Sequence, residues 1–370
     1  FKRADIFLLA VCMICTIFGI VMIYSMTSSY GWAKYVVVQG FAMFLGIGAF
    51  VVFTVIDPDL IADKWVYLTI FNVLFIVGLI FFGKGDEVGS RAWYRFAGIG
   101  VQPSEIVKVI FIVLIAKQMA TYKEQRTLNK FPSVLKLGIH WALYFGLITV
   151  IPNDLGSALI FLAIFVVMLI CAGIAWYWMA AAAAVVAAMI PLFWNFFLAD
   201  YQKNRILAPY IPDVVDPTGQ GITWQTNLCK DALASGRWTG VGFGEGSFSQ
   251  SNYNARHTDC VFASIGEELG MVACIAIIVL LSIIIIRCCV IGVRSGSPFG
   301  MLICFGVATA LAFQTFINIG MCIGITPVIG ITLPFFSYGG SSIVAMYAAV
   351  GLVSGVKYRP KPRQNFLQYQ

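Results

Sequence analysis

The sequence predicts an all-α integral membrane protein with ten transmembrane helices and a large extracytoplasmic loop between the seventh and eighth. Three observations carry that reading. Hydrophobic residues make up 60% of the 370 residues and charged ones only 11%, whereas a soluble domain carries about 25% charge. That leaves too little polar surface to cover a globule in water. Apolar runs close to the roughly 20 residues that cross a hydrocarbon core recur along the chain. Lysine and arginine gather in alternate short loops, as they do on the cytoplasmic side of a membrane.

A length prior built on soluble domains would cut the chain into two or three units, but it assumes cores in water. Residues 1–370 therefore read as a single polytopic membrane domain. Spans are expected near 6–26, 34–56, 66–82, 104–120, 137–151, 155–172, 174–198, 270–291, 300–323 and 341–357. The first is too long for a signal peptide and lacks a cleavage site, so it is expected to be retained. The fifth is short and joins the sixth through Pro152, Asn153 and Asp154; the two are either a tilted pair or a partly re-entrant hairpin. No internal repeat is visible, which weakens an inverted-repeat transporter reading.

Orientation follows from the basic residues. With the N-terminus cytoplasmic, the inner segments hold Lys2 and Arg3, then Lys123, Arg126, Lys130 and Lys136, then Arg287 and Arg294, and finally Lys357, Arg359, Lys361 and Arg363. Both termini are then inside. The 57–65 turn dissents, with Asp57, Asp59 and Asp63 against Lys64, but acidic residues weigh little in this rule. Segments 83–103, 199–269 and 324–340 fall outside. The cytoplasmic loops account for the net charge of +7, and no basic run interleaved with aromatics points to nucleic acid.

Eight of the ten cysteines fall in or beside apolar segments, where a thiol behaves as a small buried hydrophobe. No spacing suits zinc or a redox pair. Only Cys229 and Cys260 lie in the long outer loop or at its edge, and a disulfide between them stays open. In that loop, 199–225 reads as irregular, with Pro209, Pro212 and Pro217. Residues 222–234 fit a short amphipathic helix with Ile222, Leu228 and Ala232 on one face. The glycines at 236, 240, 242, 244 and 246 mark either a backbone that approaches a ligand closely or turns sharply, or a flexible connector.

Four segments carry a family resemblance. They are Gln102-Pro103-Ser104-Glu105 with Lys108, Asn153-Asp154-Leu155-Gly156-Ser157-Ala158, HTDCVFASIGEELG at 257–270, and the run from Asn318 to Ser342 ending in LPFFSYGGSS. Together and in this order they resemble the SEDS (shape, elongation, division and sporulation) family of RodA, FtsW and SpoVE. Tyr24-Ser25, Asn204-Arg205 and Gln225 are smaller echoes, so the likeness covers essentially the whole chain. The sequence departs from the pattern at Ala92, where arginine is usual, and at Cys260, where phenylalanine is usual; the Leu-Pro-Glu often found before the Thr-Asp pair is absent.

The resemblance implies a peptidoglycan glycosyltransferase of the bacterial cytoplasmic membrane that polymerises lipid II and releases undecaprenyl pyrophosphate. It also implies a partner, a class B penicillin-binding protein with transpeptidase activity. No organic cofactor is expected, and a divalent cation, Mg or Mn, could bridge Asp259 and pyrophosphate. The alternative is a lipid II flippase; clustering of acids and cations at the outer mouth favours the enzyme.

Such a reaction needs a base for the attacking hydroxyl and cations for the departing pyrophosphate. From composition alone Asp259 reads in preference as a helix N-cap; its match to the family's catalytic aspartate reverses that preference. Glu105 and Lys108, three apart on one helix face, read as an interfacial ion pair or as lining the Asp259 site. Asp154 is a third acid, structural or site-lining, and Glu267 and Glu268 read as structural or supporting. Arg91, Arg95, Arg205 and Arg256, with Lys203, are pyrophosphate candidates. Gly339, Gly340, Ser341 and Ser342 open the last span as an anion turn or, in preference, a close-packing contact. Glu105, Lys108 and Asp259 are expected to share one cavity open sideways to lipid, because a polyprenyl tail leaves the bilayer at about 0.8 kcal/mol per CH₂.

Overall fold

The computed structural model describes residues 4–28, 31–83, 91–96, 99–251 and 253–358. Its elements run in order as α1 (Ile6–Thr27), α2 (Trp32–Val55), α3 (Pro58–Ala62), α4 (Trp65–Val77) and α5 (Leu79–Phe82). A hairpin of β1 (Tyr94–Phe96) and β2 (Ile99–Val101) follows, then α6 (Pro103–Glu124), α7 (Phe131–Val150), α8 (Leu155–Ala172) and α9 (Trp176–Leu192). The outer segment holds α10 (Asp200–Leu207), α11 (Pro212–Val215) and α12 (Trp224–Gly236), before α13 (Val261–Arg294), α14 (Pro298–Ile323) and α15 (Gly340–Tyr358).

Among the described residues nine helices are long and apolar enough to cross a membrane. The remaining expected span is α6. Its 22 residues cover about 33 Å at 1.5 Å per residue, but it carries Glu105, Lys108 and Lys117. Both charges of the Glu105–Lys108 pair are buried, so α6 belongs to the bundle although its composition is not that of a lipid-facing helix. At the centre lies α15, with 72% of its span buried against α2, α6 and α14; at the other extreme α9 has none of its span buried. Close approach of α15 to α2 uses Gly46 against Tyr347 and Gly351 against the Phe50 backbone.

Two span boundaries differ from expectation. α7 begins at Phe131 rather than 137, so it has 20 residues and no re-entrant hairpin is needed. Lys136 had made those first turns look like loop, yet a lysine near a span end keeps its stem in lipid and its ammonium in the interface. α13 begins at Val261 rather than 270, and Gly270 (φ 76, ψ −176) kinks it. Residues 261–269 thus form an outer helical arm set at an angle to the span.

The glycine-dense stretch is the packing partner of that arm. A Cβ on Gly240 (φ 83) would overlap the Glu268 carbonyl, and one on Gly270 would press on the Trp238 and Gly240 backbone. Val241 and Gly242 donate to the Glu267 and Glu268 carbonyls at 2.9 and 3.1 Å, and Met271 to that of Arg237 at 2.9 Å. The glycines thus serve a close approach of loop to helical arm, which neither the ligand approach nor the flexible connector of the sequence reading had named. Glu267, 1% exposed, holds the next turn: it accepts from the Ser247 and Ser249 hydroxyls and from the Phe248 and Ser249 N–H groups at 2.8–3.1 Å. Glu268 accepts from Ser25 Oγ at 2.6 Å, tying the arm to α1.

The dissenting acidic turn is also explained. Asp57 caps α3 through the Asp59 N–H, and Asp59 accepts from Lys117 Nζ at 2.7 Å. Sequence position hid that lysine, which lies 58 residues away on α6. Cys229 and Cys260 are free thiols; they cluster with Cys322 in side-chain contact instead of forming a disulfide.

Candidate active site

The four motifs converge at one end of the bundle. Pro103 occupies the first turn of α6, where its missing N–H costs nothing, and the following turn presents Glu105 and Lys108 inward. Both Glu105 oxygens lie 2.9 Å from Lys108 Nζ. The carboxylate also accepts from Gln314 Nε2 at 3.4 Å and from Ser342 Oγ at 3.3 Å. Exposure is 4% for Glu105 and 5% for Lys108, so the pair is held by neutral donors from α14 and α15, away from bulk water.

Asp154 joins this network through Gln102. It caps α8 by accepting from the Ser157 N–H (2.8 Å) and hydroxyl (2.6 Å), and from Gln102 Nε2 at 3.1 Å. Burial pushes its carboxyl above the usual range despite those three bonds. The Gln102 N–H donates to Ser341 Oγ at 3.1 Å, and Ser104 and Ser157 share a hydrogen bond. Ser341 and Ser342 thus contact the site directly; packing, the preferred sequence reading, is only part of their role.

Asp259 stands apart from that pair but is coupled to it by one helix. Gln314 and Asn318 are one turn apart on α14. Gln314 reaches Glu105, while Asn318 Nδ2 donates to the carbonyls of Asp259 and Ile331, both at 2.7 Å. The Asp259 carboxylate is half-buried and faces Gly330, 3.7 Å from where a Cβ would stand there. Segment 325–339 is braced around it: the Tyr338 N–H donates to the His257 carbonyl, and Gln39 bonds the backbone of Ser337 and Gly339. Asp259 is not the helix cap; Cys260 occupies that position, without a side-chain cap bond.

Two expectations need correction. Arg256 is fully buried, and its guanidinium donates to the Met26 carbonyl (3.1 and 3.2 Å) and the Tyr253 carbonyl (2.7 Å). It clamps the loop to the end of α1 and does not present a cation outward. Arg91 and Arg95 are exposed on and before β1, and Arg205 is half-buried on α10. The shared open cavity is not present at Glu105 and Lys108 either. The void beside Lys108, bounded by Ile112, Gln314, Ala345 and Met346 among others, is about 10 Å³, at the lower limit for one water. Packing of α14 and α15 over the pair closes it.

Sequence reasoning gave no site role to Gln102, Gln314 and Asn318, whose amides link the candidate residues. The signal was available for the last two: amides four apart within an otherwise apolar span share a helix face and are costly in lipid unless bonded. Among the described residues no group of three His, Cys, Asp or Glu side chains is placed to hold a metal ion.

Comparison with known proteins shows the family and the fold. A family model described as a cell cycle protein, covering FtsW, RodA and SpoVE, matches residues 5–361. The probable peptidoglycan glycosyltransferase FtsW of Geobacter metallireducens is 31% identical over 372 residues, covering 97% of this chain and 96% of its own. The peptidoglycan glycosyltransferase MrdB of Escherichia coli K12 is 32% identical over 318 residues, covering 84% and 82%. Two solved structures share the fold. One comes from work on structural coordination of polymerization and crosslinking by a peptidoglycan synthase complex (TM-score 0.81, 24% identity, 96% and 98% covered). The other is the rod shape determining protein RodA of Thermus thermophilus (TM-score 0.70, 22% identity, 96% of each covered).

Proposed function

The chain belongs to the cell cycle protein family of FtsW, RodA and SpoVE and is a peptidoglycan glycosyltransferase; we propose that it polymerises lipid II with Asp259 as general base. The acceptor's 4-hydroxyl gives its proton to the Asp259 carboxylate as its oxygen attacks the donor's anomeric carbon. The bond from that carbon to the pyrophosphate breaks, and undecaprenyl pyrophosphate leaves. The observation that carries this reading is the position of Asp259: half-buried and outside the cap it would otherwise serve, one helix turn of α14 away from the Glu105–Lys108 pair.

A half-buried carboxylate at the outer end of the bundle can meet a sugar hydroxyl and accept its proton as the new bond forms. Lys108 is the cation for the anion that forms, exchanging Glu105 for a phosphate oxygen; Arg91, Arg95 and Arg205 supplement it at the outer surface. No step here runs through a metal ion. With about 10 Å³ beside Lys108, a phosphate reaches that ammonium only when neighbouring side chains move aside. The basic loops support a multi-pass protein with both termini cytoplasmic and the glycine loop outside. A class B penicillin-binding protein is the proposed partner, in keeping with the synthase complex described for a structural relative.

The test is polymerisation of lipid II by purified protein with its partner. Asp259→Asn should reduce the rate by about 10²–10⁴-fold, the range for losing acid–base catalysis, while the melting temperature and partner binding stay as in the parent. Near-normal glycan chain formation by that variant would sink the assignment and return the flippase reading.

A further inference from the structure

A second polar cavity lies at the far end of α6, one helix length of about 33 Å from the Glu105 turn. It is an open pocket of about 450 Å³, lined by Lys123, Arg126, Leu128, Asn129, Lys130, Ala172 and Gly173. Three cations and no carboxylate face it. None of the three makes an ion pair with a described residue, although Glu124 is adjacent in sequence. Converging like charges repel unless an anion sits between them.

The cavity is built rather than incidental. Arg126 adopts a left-handed backbone (φ 55), with its N–H on the Lys123 carbonyl at 3.1 Å. Leu128 is buried beneath the turn. Asn129 fastens the turn to the start of α9: its Oδ1 accepts from the Ala175 N–H at 2.7 Å and its carbonyl from Trp178 Nε1 at 3.0 Å. The helix C-termini here are closed by their own turns. Gln125, Arg126 and Thr127 N–H groups cover carbonyls at the end of α6, and Gly173 and Ile174 cover those of α8. The negative ends of these helices are thus partly satisfied before any ligand arrives.

We propose that this cavity binds the phosphodiester headgroup of an anionic glycerophospholipid from the adjacent leaflet. Charge complementarity supplies the anion. Location supplies the lipid, since the cavity sits among span ends, next to Phe131, Trp176 and Tyr177, all strongly exposed. Aromatic rings of this kind mark the headgroup level of a bilayer. The neighbouring α9, with none of its span buried, offers acyl chains an apolar surface below the headgroup. Basic pockets between spans on the cytoplasmic side hold anionic headgroups in this way.

The full-length protein in phosphatidylcholine bilayers at about 0.15 M salt would be titrated with spin-labelled phosphatidylglycerol, against spin-labelled phosphatidylcholine. The parent should prefer phosphatidylglycerol. Each cation removed should lower that preference about fivefold, the equivalent of ~1 kcal/mol per Lys or Arg near a membrane surface. Lys123→Gln with Lys130→Gln leaves the turn intact, and Arg126→Asn adds the third change with a residue that tolerates its backbone. Arg294→Gln, at the end of α13, should leave the preference unchanged. Undiminished preference in a folded Lys123→Gln/Lys130→Gln protein would overturn the proposal. Displacement of phosphatidylglycerol by millimolar inorganic phosphate would overturn it too, by showing a site for soluble anions.

Discussion

Two buried acid–base clusters sit at opposite ends of this bundle and are built differently. Near the chain ends, Asp5 is fully buried and over-supplied: Arg287 at 2.7 Å, Lys357 at 3.0 Å and the Leu8 N–H at 3.0 Å all converge on it. Its own N–H donates to Ser354 Oγ. One side chain thereby ties α1, α13 and α15 together. At the other end Glu105 has a single cation, Lys108, and longer bonds of 3.3–3.4 Å from Ser342 and Gln314. A carboxylate with surplus partners is an anchor, whereas a lone pair amid neutral hydroxyls and amides can trade one partner for an incoming phosphate. On the proposed function, the difference separates what holds the bundle from what works in it.

The comparison sharpens when other carboxylates are removed. Glu267 is an anchor made without cations, with four donors on one buried side chain. Glu267→Ala should have the largest effect, because each orphaned buried donor costs about 1–3 kcal/mol. We expect a loss of roughly 4 kcal/mol or more, read as a lower detergent unfolding midpoint and early proteolysis between residues 236 and 251. An unchanged midpoint would show the glycine loop to be held by its backbone contacts alone.

A smaller, pH-dependent effect belongs to His257, which lies against Tyr35 and Tyr338 with ring centroids at 5.0 and 5.6 Å. Burial, and then the Arg256 charge beside it, pushes its pKa down to about 4. The unfolded histidine protonates near 6.5 while the folded one does not, so the folded state loses relative stability as pH falls from about 6.5 towards 4. Asp154, whose carboxyl burial pushes up, acts in the opposite direction. His257→Phe therefore isolates the histidine's share: melting temperatures from pH 7.5 to 4.5 should fall less steeply in the variant. Parallel curves would remove His257 as the source.

The smallest effect is expected at Lys117, where the Asp59 bridge is half-exposed, with side-chain exposures of 37% and 50%. Lys117→Met should cost no more than about 1 kcal/mol, as exposed ion pairs do. A loss as large as that of Glu267→Ala would mean that this pair is an anchor as well.

How much of this was legible in the sequence follows from how local each feature is. Apolar runs and basic loops are local, so the spans and their order could be read directly. The motifs are short enough to mark Glu105, Lys108, Asp154 and Asp259 as candidates. What failed depended on distant partners. Lys136 hid the first turns of α7, and nothing local joined Lys117 to Asp59. Arg256 read as a surface cation because Met26, its acceptor, lies 230 residues away. The glycines were ambiguous until the 266–270 arm was seen against them, and Gln314 and Asn318 acquire meaning only when α14 is set between Glu105 and Asp259.

The contrast between anchor and working pair is tested most directly by crossing two variants in one experiment, with unfolding midpoint and lipid II polymerisation measured on the same preparations. Lys108→Met should keep its midpoint near the parent's, since Glu105 retains the donors Gln314 and Ser342, yet lose at least about tenfold in polymerisation rate. Asp5→Asn should lose about 2–3 kcal/mol of stability, because it leaves Arg287 and Lys357 without their carboxylate at a buried position, while its rate per folded molecule stays at the parent's. The reverse pattern, with Lys108→Met destabilised and active per folded molecule, would make Glu105–Lys108 a second anchor and contradict the account.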